Sequence, residues 1–425
     1  MTNKGPKIKR YKSIYDDSAQ KRKRMGSAVA ITLICAVFLF VGYSLSGVWS
    51  EFIDTVINPA KNTVSDPYVS SELPAVSDEP AITPPVEVEA PSEEELQKAE
   101  REEKIKTFKG VFMPANTFYD DTAFSLFLQN ARAKGYNTIV FELKDGTGHL
   151  YYKTDSKAVL AAQPLINEAA DLAARTNAMK EAGFIAVPKI HAFQDNLASK
   201  NIPNSYAMYM SLGETRWIDN SVDKGGRSWL NPESEVAQNY ITNICTDIVS
   251  YGFEYIIVDS LQYPSGLALD KAFFGERSIT DRIGVLSDYA EKLEQALLGK
   301  NCTLILMSTA TAQMNGNADY YGGNPLNIPV ENVASSILPA YFPQPLSAAG
   351  NSGGEEIANP SDKPYESTKT VVSAIKKAGA GNVHEILPFI QYFDGYQEKG
   401  ADEQIRALEE NEISCYVLYN TEGIY

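Results

Sequence analysis

From Lys106 onward, short apolar runs alternate with stretches whose apolar positions recur every three to four residues. Gly110-Val111-Phe112-Met113 is the first run, followed by a helical pattern over Thr122–Lys134. Thr138-Ile139-Val140-Phe141 is the second, and a helix is predicted over Leu165–Ala182, closing at Gly183, a residue suited to helix ends. The third run, Phe184 to His191, contains Pro188, which lacks a backbone donor and predicts a bulge. Asn231-Pro232 reads as the cap and first residue of the next helix, with Val236, Tyr240, Ile241, Ile244, Cys245, Ile248 and Val249 on one face. Strands are then predicted at Tyr255–Asp259, Thr303–Met307, Ser336–Leu338, Ile386–Gln391 and Cys415–Asn420. Helices fall between them at Asp281–Leu298, Ser367–Ala378 and Asp402–Asn411.

Continuous apolar strands without alternation are the mark of a sheet buried on both faces, as parallel sheets are. Eight such strands separated by helices, within about 320 residues, predict an α/β fold of the (β/α)8 TIM barrel type. A doubly wound open sheet is the alternative, but no glycine-rich phosphate loop accompanies the pattern. The last strand is followed almost at once by Gly423-Ile424-Tyr425, so the helical stretch 92–106 is expected to cover the place of an eighth helix.

The first hundred residues follow other rules. Residues 1–24 carry nine Lys and Arg against Asp16 and Asp17, and Met25 to Ser50 holds no charge at all. Ser27–Leu45 is 19 residues, about 28 Å as a helix, enough to cross a bilayer. A cleaved signal peptide has a shorter apolar core and a small-residue cleavage site, so a retained anchor is the preferred reading. The basic flank places the N-terminus in the cytoplasm. Residues 51–104 have 14 acids, four bases and seven prolines, Pro59 to Pro91. Such a segment buries too little apolar surface to offset its chain entropy and acts as a spacer. Its end, Ser92–Lys106, is helical in pattern, with Ser92 and Glu95 in capping-box register. The expected organisation is therefore a basic cytoplasmic tail (1–24), a transmembrane signal-anchor helix (25–50), an acidic Pro-rich stalk (51–104) and an extracytoplasmic barrel domain (105–425). The lipid bilayer, met through one helix, is thus an expected partner, and the cell membrane the expected location.

The outer part, 105–425, has 25 bases against 38 acids, which argues against nucleic acid as a ligand. Four cysteines form no disulfide pattern, and three histidines (His149, His191, His384) without a metal-binding spacing make a metal-dependent deacetylase the weaker reading. No metal or cofactor is expected. Asp259 ends a strand at the position where barrels keep their chemistry, followed by a break at Tyr263-Pro264.

The chain resembles a bacterial glycoside-hydrolase-like TIM-barrel domain family over about Phe108 to Tyr425. The marks are Lys109-Gly110-Val111, Glu142-x-Lys144-Asp145-Gly146, Phe193-x-Asp195 and Trp229-Leu230-Asn231-Pro232. They continue with Gly252-Phe253-Glu254, Asp259, Tyr263-Pro264, Pro339-x-x-x-Pro343, Pro388-x-x-Gln391 and Tyr419-Asn420. The sequence departs from the family at Asn231, Gln262 and Leu387, where the family has Asp, Arg and Arg. The resemblance implies cleavage of glycosidic bonds in a cell-envelope or environmental polysaccharide, such as a cell-wall glycan. A non-catalytic carbohydrate-binding scaffold is the alternative.

Such cleavage needs two carboxyl groups flanking the bond. Asp259 is the expected nucleophile or base. The fifth strand ends in Met307-Ser308-Thr309 without an acid, so Glu142 or Asp145 is the expected partner, with Lys144 between them holding one ionised. Asp195 and Asp394 rank behind. Gln391 and Asn420 suit hydroxyl recognition, and Trp217, Tyr263, Tyr341, Tyr392 and Tyr396 lie in or near loops where their rings could stack on sugars. His191 is expected to be a hydrogen-bonded wall residue.

Overall fold

The structure is a computed structural model of the full chain, and it describes residues 92–210, 215–275, 279–309, 334–338, 362–378, 386–392, 398–423 and 425. The segments read as tail, anchor and most of the stalk lie outside these residues. Among the described residues no helix is long and apolar enough to cross a membrane.

Eight parallel strands appear where the apolar runs predict them: β1 (Lys109–Met113), β2 (Thr138–Lys144), β3 (Ile185–His191), β4 (Tyr255–Asp259), β5 (Thr303–Thr309), β6 (Ala334–Leu338), β7 (Ile386–Gln391) and β8 (Tyr416–Tyr419). Each pairs with the next in chain order, and β1 pairs with both β2 and β8. The result is an α/β fold with a curled, barrel-like parallel sheet. Every residue of β4 and β7 is buried, the consequence of helices packing outside and side chains meeting inside. The hydroxyl of Tyr425 stitches the seam above the last β1–β8 register pair. It accepts from the Phe112 and Asn420 N–H groups at 3.0 and 3.1 Å and donates to a carbonyl, with Phe112 O 2.6 Å away.

Three local readings are corrected. Leu165–Ala170 is a strand paired with Leu150–Tyr152, and the helix begins only at Leu172, because the Asp171 carboxylate accepts from Ala174 N–H and sets the cap there. Pro188 sits in regular register opposite Phe141; the irregularity lies in β2, between Glu142 and Lys144. The helix after Asn231 starts at Glu235 with Ser234 as its cap, while Asn231 bonds Phe274 O and Glu233 N–H.

The helix Glu93–Ile105 carries the capping box at Ser92 and Glu95 in both arms. It packs on the sheet through buried Arg101 and Ile105. Arg101 Nε donates to Thr303 Oγ1 at 2.9 Å, Tyr255 Oη donates to Arg101 O at 3.1 Å, and Lys98 pairs with Glu294. Thr303 and Tyr255 are the first residues of β5 and β4, so the helix touches the end of the sheet opposite Asp259. It therefore does not stand in for an eighth helix beside the last strand. Arg101→Ala is expected to cost about 1–3 kcal/mol, since it leaves the buried Thr303 hydroxyl without its donor. Urea unfolding measures this, and an unchanged midpoint would show the helix to be outside the cooperative unit.

Candidate active site

Register explains how four charged and polar side chains meet at one end of the sheet. Glu142 of β2 lies opposite Lys189 of β3, and His191 of β3 lies opposite Asp259 of β4. Lys189 and His191 are two residues apart on one strand, so they share a face. Neighbouring parallel strands about 4.8 Å apart then bring the acids to the same basic pair. Lys189 Nζ is 2.9 Å from Asp259 Oδ2 and 3.4 Å from Glu142 Oε1. His191 Nε2 is 2.9 Å from Lys189 Nζ, 3.5 Å from Glu142 Oε1 and 3.6 Å from Asp259 Oδ2. His191 Nδ1 meets Ser260 Oγ at 2.9 Å, and Ser260 Oγ also lies 3.3 Å from Asp259 Oδ1 and from Gln194 Oε1.

Ser260 has φ +56°, a left-handed conformation costly for a side chain with a Cβ. It turns the chain sharply after Asp259 and presents its hydroxyl to His191. Strain of this kind is stored where the surroundings enforce it.

The two acids share one cation. Glu142 Oε1 and Asp259 Oδ2 can be no farther apart than the 3.4 and 2.9 Å contacts laid end to end, 6.3 Å. Burial by itself would raise both carboxyls. Lys189, with His191 behind it, outweighs burial and holds both below the ordinary carboxylate range. Burial likewise disfavours the Lys189 ammonium, but Asp259 and then Glu142 reverse the sign and push it up. Lys189 is almost wholly buried, with a side chain 4% exposed, whereas that of Glu142 is 21% and that of Asp259 13% exposed. The cation lies deeper than the two acids.

The other expected residues are placed differently. The irregularity after Glu142 parts it from Lys144, which two residues along a regular strand would share its face. Lys144 instead pairs with Asp195 at 2.9 Å and donates to His191 O at 2.7 Å, both side chains being fully buried. Asp195 also caps the helix Asn196–Asn201, and burial, its largest influence, raises its carboxyl in spite of Lys144. Neither Lys144 nor Asp195 reaches the mouth or touches the Glu142–Lys189–Asp259 cluster. Asp145 Oδ1 accepts the N–H groups of Thr147, Gly148 and His149, and Tyr151 Oη donates to its Oδ2. A carboxylate so engaged anchors the turn. That turn needs glycine at 148: φ is +102° there, and a Cβ would come 2.1 Å from Asp195 Oδ1.

Trp217 is fully buried, its indole N–H donating to Ala268 O, and Tyr263 is 1% exposed, so neither shows a ring face to solvent. Asn420 bridges Tyr392 O and Glu422 N–H. Gln391 ends β7 almost completely buried, and its Oε1 has no hydrogen-bond partner. Tyr341, Asp394 and Tyr396 lie outside the described residues. Among the described residues no group of three or more His, Cys, Asp or Glu side chains is arranged to hold a metal ion.

Sequence reasoning missed Lys189, Ser260 and Gln194. A signal for Lys189 was present: a lysine inside an otherwise apolar strand, in period-two register with His191.

The family described as "Putative glycosyl hydrolase domain" matches residues 110–425. The chain belongs to this family. No curated protein matches the chain. Among solved structures, it is similar to the glycoside hydrolase domain of PgaB (BpsB) from Bordetella bronchiseptica, at 11% identity over 74% of this chain and 94% of that one, with a TM-score of 0.49. The glycoside hydrolase domain of PelA from Pseudomonas aeruginosa aligns at 10% identity over 75% and 97% of the two chains, with a TM-score of 0.41. TtGalA, an alpha-galactosidase from Thermus thermophilus, aligns at 11% identity over 78% and 63%, with a TM-score of 0.45.

The depressed carboxyls set the sign of a pH effect. A group held below its unfolded value, about 4 for these acids, contributes stability that is present above that value and lost as pH falls through the folded one. Asp259→Asn is therefore expected to be most destabilising near pH 6–7 relative to the native chain, with the difference shrinking progressively below about pH 4. Urea unfolding at a series of pH values checks this; a pH-independent difference would contradict it.

Proposed function

We propose that residues 105–425 are a (β/α)8 barrel that hydrolyses glycosidic bonds in a cell-envelope or environmental polysaccharide, held outside the cell membrane by the anchor 25–50 and the spacer 51–104. The observation that carries the chemistry is the meeting of Glu142 and Asp259 across one ammonium at the carboxyl ends of β2 and β4. Their separation of at most 6.3 Å fits a pair in which one acid attacks the sugar, about 5–5.5 Å apart, better than one spaced by a water.

Asp259 is the nucleophile or base. It is ionised, and Ser260 and Lys189 hold its two oxygens in place. Glu142 is the acid. In the empty site Lys189 keeps it ionised, yet burial is the largest influence on it and points upward. A glycosidic oxygen placed between the acids weakens the Lys189 contact, and burial then lifts Glu142 to where it can donate a proton to the leaving oxygen. Asp145 stays beside it as the turn anchor. The unpaired Gln391 Oε1 takes a sugar hydroxyl, and Asn420 shapes the neighbouring wall.

One observation favours a second reading. A carboxylate pair already tied to one ammonium, Lys189, also suits a barrel that binds glycans without cleaving them. The full chain is to be incubated with purified wall glycans and exopolysaccharides and new reducing ends scored. Asp259→Asn and Glu142→Gln are each expected to lower release by about 100-fold or more. Equal release by the native chain and Asp259→Asn would remove Asp259 from the chemistry. Retained glycan binding without any release would favour the binding barrel.

A further inference from the structure

We propose that Tyr119 and Tyr151 form a sugar-stacking subsite on the Glu142 side of the cluster, taking the pyranose unit next to the one being cleaved. The inference rests on the carbohydrate reading of the site and extends it to residues outside that machinery.

Both tyrosines lie just past the carboxyl ends of the first two strands. The short helix Ala115–Tyr119 follows β1 and ends on Tyr119. After β2 the chain turns at Asp145–His149 and comes back antiparallel as Leu150–Tyr152, with Lys144 opposite Leu150. Alternation along that strand buries Leu150 and Tyr152 and leaves Tyr151 partly exposed on the other face. Tyr119 is likewise partly exposed, and the two rings stack with centroids 6.1 Å apart at an interplanar angle of 23°.

The pair is held in advance of any ligand. Tyr151 Oη donates to Asp145 Oδ2 at 2.9 Å, and three backbone N–H groups pin Asp145 in turn. His149 Nδ1 lies 3.4 Å from the same oxygen, with its side chain 40% exposed. Asp145, which holds the Tyr151 hydroxyl, follows Glu142 by three residues just past the end of β2, and this ties the ring to the candidate acid.

A polysaccharide threaded between Glu142 and Asp259 must lay its next unit against whatever borders the cluster. The C–H face of a pyranose is apolar and flat, and a rigid aromatic surface with few rotatable bonds covers it at low entropic cost. A polar edge beside the rings, here the partly exposed His149, is left to meet the equatorial hydroxyls.

The test titrates cellohexaose, chitohexaose and maltohexaose, by calorimetry, into the full chain carrying Asp259→Asn, and repeats the titrations with Tyr119→Ala, Tyr151→Ala or Tyr151→Phe added. Tyr119→Ala and Tyr151→Ala are each expected to weaken the best binder about ten-fold, and Tyr151→Phe, which keeps the ring, to retain most of the affinity. Should Tyr151→Ala loosen the Asp145 turn, Tyr119→Ala still reports on the platform. Unchanged affinity in Tyr119→Ala and Tyr151→Ala, or no binding of any of the three hexaoses, overturns the subsite. Hydrolysis by the native chain is scored separately, so loss of the catalytic reading with tyrosine-dependent binding intact would leave the subsite standing.

Discussion

The Lys189 ammonium is the contact on which the chemical end of this molecule depends. Two carboxylates from strands either side of β3 are drawn into one partly buried cluster, and without a cation between them their repulsion and desolvation would oppose it. Lys189 is itself tolerable in the interior only because both acids answer it, and His191 Nε2 lies 2.9 Å from the same nitrogen. The groups are mutually conditional. Their arrangement is a consequence of backbone register, which sets Glu142 against Lys189 and His191 against Asp259 before any side chain chooses a rotamer.

The two ends of the sheet are put to different uses. At the amino ends of β4 and β5 the helix Glu93–Ile105 is fastened by Arg101, Lys98 and the Tyr255 hydroxyl, and Phe108 packs edge-on to Tyr255 with ring centroids 5.1 Å apart. At the carboxyl ends lie the acids, the strained Ser260 and the partnerless Gln391 oxygen. Barrels of this kind commonly keep stability at one end and chemistry at the other. The Lys144–Asp195 pair belongs to stability even though it sits near the chemical end. It is fully buried and bonded to backbone, and it supports the loops that follow β2 and β3.

Family membership points to carbohydrate chemistry, and the cluster brings two carboxylates to one cation at the end of the sheet where barrels keep their chemistry. Both acids are held below the ordinary carboxylate range, because Lys189 outweighs burial at each of them.

Much of the fold was legible in the chain itself. Apolar runs such as Tyr255–Val258 report burial on both faces locally, and the capping box at Ser92 and Glu95 is written within four residues. Asp259 could be singled out because a lone acid ending a buried strand is conspicuous in one dimension. The partner of each charge could not be read this way. Glu142 and Lys144 look like neighbours on one face, and only the irregularity in β2 separates them, sending one to Lys189 and the other to Asp195. Leu165–Ala170 has a helical pattern yet pairs as a strand, because Leu150–Tyr152 lies beside it to take its hydrogen bonds. Periodicity and caps are properties of neighbours along the chain, so sequence determines them. Which cation meets which acid is a property of groups some 50 to 70 residues apart, and tertiary structure alone decides it.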